Sequence, residues 1–285
     1  MTSPEVLCLL VDNGSKRAEA TLELRQLAAA LAERVRRPVR PVSLLHADAV
    51  AAEALGGAPA EVLRTAIPHY YHQGWRHFLV LPLFFGPSGA LTWYLPEKTA
   101  EFKTEYPDLQ VHQAPPLVDV ASHDDNGLLA ILADHILATA QGCAAPPAVV
   151  LVDHGSPVPE VTAVRDFLAR ELHGQLAGQV QKVVAASMER REGEQYAFNE
   201  PLLEGVFDLH GLAGEVVVAM QFLLPGRHAG VLGDVEQIVA AALEGRDDIA
   251  IHYTPLVGRH PGLIDSLARR CAQGLEAVEA LDAMA

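Results

Sequence analysis

The sequence has few cysteines and lacks any long uninterrupted apolar run. Its 285 residues contain three cysteines, Cys8, Cys143 and Cys271, which form no CxxC pattern. We therefore expect unpaired thiols in a reducing compartment. No apolar stretch approaches the ~18 residues of a membrane helix, and the start "MTSPEVLCLLVDNG" has no signal-peptide pattern. These absences predict a soluble, cytoplasmic protein that has no membrane partner.

Basic residues are also scarce. The 21 Lys and Arg stand against 36 Asp and Glu, which gives a formal net charge of −15. This charge disfavours nucleic acid as a partner, although a local basic pocket on an acidic protein can still bind a small anion. Neither GxxxxGK[ST] nor GxGxxG occurs, so we expect no nucleotide cofactor.

What the sequence does contain is an internal repeat. The segment "VDNGS" at 11–15 returns as "VDHGS" at 152–156, which is a shift of 141 residues from Asn13 to His154. "FLVLPLFFGPSGA" at 78–90 aligns with "VVVAMQFLLPGRH" at 216–228 with a shift of 138. We therefore predict two similar domains, 1–143 and 144–285, joined through the proline-containing segment 141–148.

Apolar runs that are typical of strands alternate with helical patterns in both halves. The strands are predicted near 5–11, 39–45, 77–84, 109–113, 147–152, 182–187, 214–222 and 249–254. This alternation predicts the α/β class, with two flavodoxin-like domains that each contain a four-stranded parallel sheet flanked by helices. We expect a cleft between the two domains.

Two histidines follow the first and third predicted strands of the second half, His154 and His228. The carboxyl ends of such strands commonly flank the point where the strand order of an open parallel sheet reverses. We therefore expect the two imidazoles to face one crevice. The equivalent residues in the first half are Asn13 and Ala90. A lone loop histidine is usually only polar surface, but the loss of both from one copy favours a shared function.

The ordered motifs resemble those of the class II tetrapyrrole chelatases over nearly the whole chain. "VDHGSPVPE" is similar to that family's G-H-G-S opening, and "FLLPGRHAGVLGDV" to its second histidine loop. "ASMERREGEQYAFNEPLLE" at 186–204 resembles a stretch of the long, two-domain sirohydrochlorin chelatases. The resemblance implies a chelatase of the lyase class. It would insert Co²⁺, Fe²⁺ or Ni²⁺, as a substrate, into a sirohydrochlorin-like tetrapyrrole on the routes to cobalamin or sirohaem.

The resemblance also implies that His154 and His228 bind the metal and are catalytic. Imidazole suits these divalent metals, and two ligands leave positions open for transfer to a macrocycle. Because Asn13 and Ala90 depart from the family pattern, we expect a degenerate first half and an active site that belongs to the second half.

Two carboxylates and several cations complete the candidate site. Glu189 and Glu192 lie just past the second predicted strand of the second half, where they either orient a histidine and relay protons or form a solvated loop. A polycarboxylate substrate calls for cations and N–H groups. The candidates for binding it are Ser156, Arg190, Arg191, Arg227 and Arg259.

Other functions remain open at this point. The chain is alternatively a metallochaperone or tetrapyrrole carrier without turnover. A phosphoryl-transfer enzyme of the histidine phosphatase kind is disfavoured. Those enzymes need Arg-His-Gly after the first strand, whereas the Arg-His pairs here, at 227–228 and 259–260, follow later strands. The sequence does not state which metal is used, and it is compatible with a monomer or a weak homodimer.

Overall fold

The computed structural model describes residues 5–120, 127–230 and 232–284. The contacts within the chain divide it into two compact units. One unit consists of Met1–Asp119 together with Ile264–Ala285, and the other of Val120–Leu263.

The first unit is built on a four-stranded parallel sheet. Its strands are β1 (Val6–Asp12), β2 (Val39–Ser43), β3 (His77–Pro82) and β4 (Gln110–Gln113). They lie in the order β2-β1-β3-β4. All seven residues of β1 are buried, as expected for the central strand of a parallel sheet covered on both faces. Burial on both faces also explains why the sequence of this strand is a continuous apolar run.

The second unit repeats this arrangement. Its strands are β5 (Ala148–Asp153), β6 (Lys182–Ser187), β7 (Gly214–Met220) and β8 (Ile249–Tyr253). Their order is β6-β5-β7-β8, again entirely parallel. In both sheets the strand order reverses between the first and third strands, as in flavodoxin-like folds. The predicted fold class is therefore confirmed.

Eight α-helices accompany these strands in the described part of the chain. They are α1 (Ala18–Val35), α2 (Leu63–His72), α3 (Leu95–Glu105), α4 (Gly127–Ala140), α5 (Pro159–Gln175), α6 (Leu203–Leu209), α7 (Asp234–Ala242) and α8 (Gly262–Met284). The apolar faces predicted for α1 and α5 are buried, for example at Leu24 and Leu168. Among these helices, none is at once long enough and apolar enough to cross a membrane.

Two helices leave the half of the chain to which they belong in sequence. Helix α4 follows β4 but contacts α5 and β7 of the second unit. Helix α8 ends the chain but packs on the first sheet, so closely that a Cβ on Gly274 would lie 2.7 Å from Leu79 Cδ1. Cys271 of α8 places its Sγ 3.9 Å from that of Cys8 in β1. The predicted division at 143/144 follows the repeat in the sequence, whereas the compact units are defined by packing.

The repeated "VD-x-GS" segment forms the same tight turn after β1 and after β5. Gly14 and Gly155 have φ values of +91° and +86°, a region that L side chains rarely adopt. A Cβ on Gly14 would lie 1.7 Å from Leu45 O, and one on Gly155 would lie 1.9 Å from Glu189 O. The repeat therefore preserves a backbone that runs against the segment after the neighbouring strand, whichever residue precedes the glycine.

Replacing Gly155 with alanine should reduce the free energy of unfolding much more than the same change at Gly178. Gly178 has a φ of +81° but no atom within 4 Å of an added Cβ. Gly178→Ala therefore introduces only the left-handed strain of about 1–2 kcal/mol. Gly155→Ala adds a backbone clash, for a total on the order of 3 kcal/mol or more. Urea denaturation of both variants measures the difference, and equal losses would mean that the close approach does not fix this turn.

Candidate metal centre

His154 and His228 lie next to each other in the second unit. His154 follows the carboxyl end of β5, and His228 lies in the loop after the neighbouring strand, β7. Their ring centroids are 4.5 Å apart, and the rings are nearly perpendicular, at 78°. The topology thus joins two side chains that are 74 residues apart in sequence, from 154 to 228. Their side chains are 46% and 32% exposed, so a ligand can reach them from solvent.

Hydrogen bonds give both histidines the same tautomer. His154 Nδ1 lies 3.0 Å from Gly155 O, and His228 Nδ1 lies 2.8 Å from Asp234 Oδ2. Carbonyl and carboxylate oxygens only accept hydrogen bonds, so Nδ1 donates in each case. In a neutral ring the Nε2 lone pair is then left for a metal, and an oxygen partner on the other nitrogen is the usual support of a metal-binding histidine.

Glu189 lies beside this pair because of the backbone turn. Glu189 N donates to His154 O over 3.2 Å, and its Oε1 lies 3.6 Å from His154 Nε2. Its side chain is 61% exposed, so it is free to move. The two imidazoles and this carboxylate provide ligands that suit Fe²⁺, Co²⁺ and Ni²⁺. With at most three protein ligands, such a centre leaves positions open for exchange.

Five of the predicted residues line one cavity of about 320 Å³. They are His154, Ser156, Glu189, Arg190 and Arg191. Arg190 is already engaged, with its Nε 2.7 Å from Glu200 Oε1, whereas the Arg191 guanidinium lies 5.9 Å from the centroid of the Tyr196 ring. The Ser156 N–H donates to Asn199, so only its hydroxyl remains to meet an anion.

The other predicted residues have different positions. Arg227 is 79% exposed, and its Nε lies 3.3 Å from Asp234 Oδ2, the carboxylate that also accepts from His228. Glu192 lies in an exposed bend beyond Arg191, and Arg259 ends a short 3₁₀ turn after β8. Neither Glu192 nor Arg259 is among the residues that line the cavity.

Two important residues were missed in the sequence. Asp234 is the first residue of α7, and the backbone amides of 234 and 235 bond back to Arg227 O and His228 O. An Asp directly after a glycine at a helix start was the available signal. Asn199 is fully buried, and its Oδ1 accepts hydrogen bonds from Ser156 N and Thr162 Oγ1. No sequence pattern indicated that role.

A buried network supports the turn that carries His154. Ser187 Oγ donates to Asp153 Oδ1 over 2.6 Å, and Arg165 Nη1 donates to Ser187 Oγ and to Asn199 O. Burial raises the pKa of Asp153, while the Ser187 hydroxyl and the Arg165 guanidinium act in the opposite direction. Residue 153 is thus held in place immediately before the histidine.

The first unit keeps the turn but lacks its chemical groups. Asn13, Leu45 and Ala90 stand where the second unit has His154, Glu189 and His228. Leu24 is the counterpart of Arg165 at the 141-residue shift. Position 24 thus offers no guanidinium equivalent to that of Arg165. Burial raises the pKa of Asp12 to about 6 despite hydrogen bonds from Ser43 and Gly14.

Comparison with known proteins places this architecture in a family. The CbiX family model matches the chain twice, over residues 7–122 and 148–274. The chain belongs to the CbiX family. The double match confirms the internal repeat in this CbiX-family chain, and the resemblance seen in its sequence is confirmed at the level of the family. No curated protein matches the sequence.

Solved structures with both units are similar to this CbiX-family chain. SirB from Bacillus subtilis with Fe³⁺ is 17% identical, with a TM-score of 0.71 over 97% of this chain and 98% of that one. The cobalt complex of the sirohydrochlorin chelatase SirB from Bacillus subtilis subspecies spizizenii is 18% identical, with a TM-score of 0.69 over 97% of both chains. CbiX, the terminal enzyme for biosynthesis of sirohaem in denitrifying bacteria, is 18% identical, with a TM-score of 0.61 over 94% and 98%. At these identities the likeness shows the fold.

Asp234→Asn should weaken metal binding by the histidine pair about 10- to 100-fold, because the carboxylate orients His228 and strengthens it as a ligand. Glu236→Gln is the matched control, since Glu236 lies on the same helix and bonds to Leu232 N. Calorimetric titration with Co²⁺ measures the effect, taken as the component that disappears in a His154→Ala, His228→Ala double variant. Equal affinities of the Asp234 and Glu236 variants would show that Asp234 does not tune the pair.

Asp12→Asn should change how stability depends on pH. A carboxyl whose pKa is raised by folding binds its proton more tightly in the folded state, so the wild type loses stability as pH rises from about 4 to 6. The variant lacks this loss. Its free energy of unfolding minus that of the wild type should therefore increase by up to ~3 kcal/mol between pH 4 and 7. Urea denaturation across this range is the measurement, and a constant difference would contradict the raised pKa.

Proposed function

We propose that this chain is a metal chelatase that inserts a divalent metal ion into sirohydrochlorin, with His154 and His228 as the residues that hold the metal before transfer. Co²⁺, Fe²⁺ and Ni²⁺ are the candidate metals. The observation that carries the proposal is the adjacent pair of imidazoles, each with Nδ1 bonded to an oxygen and Nε2 left as a ligand. Membership of the CbiX family and the iron and cobalt found with SirB support it.

An open centre suits transfer better than storage. A structural metal site is usually closed by four protein ligands, whereas this pair leaves most of the coordination sphere to water or to the incoming macrocycle. Pyrrole nitrogens can therefore replace water first and the imidazoles last. Because both rings are partly exposed, the macrocycle can approach without a large opening of the protein.

The two imidazoles can also accept the protons that metal insertion releases. Inserting M²⁺ into a tetrapyrrole releases two N–H protons, so the enzyme needs two acceptors. As the metal leaves, each Nε2 regains its lone pair and can take one proton. Glu189, with its Oε1 3.6 Å from His154 Nε2, is placed to pass a proton on to solvent. Glu192 lies further along the same exposed loop and is the weaker candidate for this role.

The substrate's carboxylates require cations near the pair. Arg191 lines the cavity beside His154, and the exposed Arg227 adjoins His228 through Asp234. Arginine forks match carboxylates in paired hydrogen bonds. We assign these two residues to substrate binding ahead of Arg190, which already pairs with Glu200, and of Arg259, which follows β8 rather than a strand that precedes one of the two histidines.

His154→Ala and His228→Ala should each abolish metal insertion, whereas Asn13→Ala should leave the rate within about twofold. The reason is that Asn13 lies in the equivalent turn of the first unit and offers no imidazole. The assay follows the visible absorbance of sirohydrochlorin with Co²⁺, Fe²⁺ and Ni²⁺ in parallel. Circular dichroism of each variant checks that the fold is retained.

Two outcomes would contradict the proposal. If Asn13→Ala were as damaging as either histidine change, the chemistry would not belong to the second unit alone. If the wild type bound metal through the histidines but gave no turnover with any of the three metals, the chain would be a metal or tetrapyrrole carrier instead.

A further inference from the structure

A second group of potential metal ligands lies elsewhere in the second unit. Within the described residues, one set of at least three His, Cys, Asp or Glu side chains has its ligand atoms all within 4.8 Å of one another: Cys143, Glu215 and His252. Glu215 is the second residue of β7, near that strand's amino end, whereas His228 follows the carboxyl end of the same strand. The set is therefore separate from the histidine pair.

Three different elements bring these side chains together. Cys143 lies in the turn between α4 and β5, Glu215 on β7 and His252 on β8. Because β7 residue 217 is the ladder partner of His252 and side chains alternate along a strand, Glu215 and His252 project from the same face of the sheet. The other face carries the apolar cluster that includes Val216 and Val218.

Hydrogen bonds hold the group in place. His252 Nε2 lies 2.7 Å from Glu215 Oε2, and Glu215 Oε1 accepts from Ala144 N over 3.0 Å. The side chains of His252 and Glu215 are only 29% and 17% exposed, and Cys143 is also partly buried. Their freedom is thus already restricted, which lowers the entropy lost when a cation orders them.

The three side chains carry a thiol, an imidazole and a carboxylate. Burial and the neighbouring Glu215 raise the pKa of the Cys143 thiol, so a metal ion must displace the thiol proton to gain a thiolate ligand. Thiolate, imidazole and carboxylate are the ligands of tetrahedral Zn²⁺ and Co²⁺ centres, with bonds of about 2.0–2.3 Å. Such bonds keep ligand atoms roughly 3.3–3.7 Å apart. The group therefore needs only side-chain adjustments, the main one being a lengthening of the His252–Glu215 contact. A water molecule would complete four-coordination.

We propose that Cys143, Glu215 and His252 bind a divalent metal ion of the Zn²⁺ and Co²⁺ type, at a site distinct from the centre at His154 and His228. The ion ties the turn before β5 to the strands β7 and β8. Because it binds the folded chain, it also stabilises the second unit. The proposal concerns the metal alone and does not depend on the chelatase reaction.

A thiolate ligand gives the site its own signal. Co²⁺ bound to cysteine shows a near-ultraviolet charge-transfer band, which a centre of imidazoles and carboxylates does not. The reduced full-length protein should develop this band on titration with Co²⁺. The His154→Ala, His228→Ala double variant should keep the band, and Cys143→Ser should lose it while binding one Co²⁺ fewer per chain than the wild type. His252→Ala should weaken the affinity measured through the band at least tenfold.

Cys271→Ala is the matched control, since Cys271 is buried beside Cys8, and it should keep the band. Serine is close in size to the partly exposed Cys143, and circular dichroism verifies the fold of each variant. Absence of the band in the wild type at saturating Co²⁺, or its persistence in Cys143→Ser, would overturn the proposal. Loss of the band in the histidine double variant would also overturn it, because the thiolate would then belong to the first centre.

Discussion

The geometry of the candidate centre depends on the hydrogen bonds that the buried guanidinium of Arg165 donates. Arg165 is 1% exposed and joins Ser187 at the end of β6 to the carbonyl of Asn199. Ser187 in turn holds Asp153, and Asn199 holds the backbone of Ser156. The residues on both sides of His154 are therefore linked through Ser187 and Asn199 to one buried guanidinium. Removing one partner of a buried charge network typically lowers the free energy of unfolding by about 3–5 kcal/mol. We therefore expect the network to hold this turn in one conformation.

The two units show that backbone shape and chemistry can be separated. Both contain the glycine turn pressed against the segment after the neighbouring strand, with Gly14 in one and Gly155 in the other. In the second, His154 follows the strand and Arg165 supports the turn, whereas the first has Asn13 and Leu24 at these positions. Burial raises the pKa of the aspartate before the turn in both units, and in the second the Arg165 guanidinium opposes that shift. The same turn can therefore be built with or without the groups of the candidate centre.

Much of this could be predicted from the sequence, because buried parallel strands appear as apolar runs and a repeat aligns equivalent loops. The proximity of His154 and His228 was predicted because the first and third strands of such a sheet are commonly neighbours. Asp234 was not predicted, because its contact with His228 depends on where α7 begins. The destinations of α4 and α8 were not predicted either. An apolar helix face indicates that a helix packs on a sheet, but not on which of two similar sheets.

The position of α8 has a consequence for how the chain reaches its native state. This last helix covers the first sheet, and its Gly274 lies against Leu79, so contacts of very long sequence separation complete the first unit. Forming such contacts is slow, because a long loop must close before they are made. During synthesis the strands of the first sheet are made long before α8. The face that α8 covers therefore stays uncovered by this helix until the whole second unit has been made. The second unit has both α4 and its own strands by residue 263, so the later half of the chain is the first that can be completed.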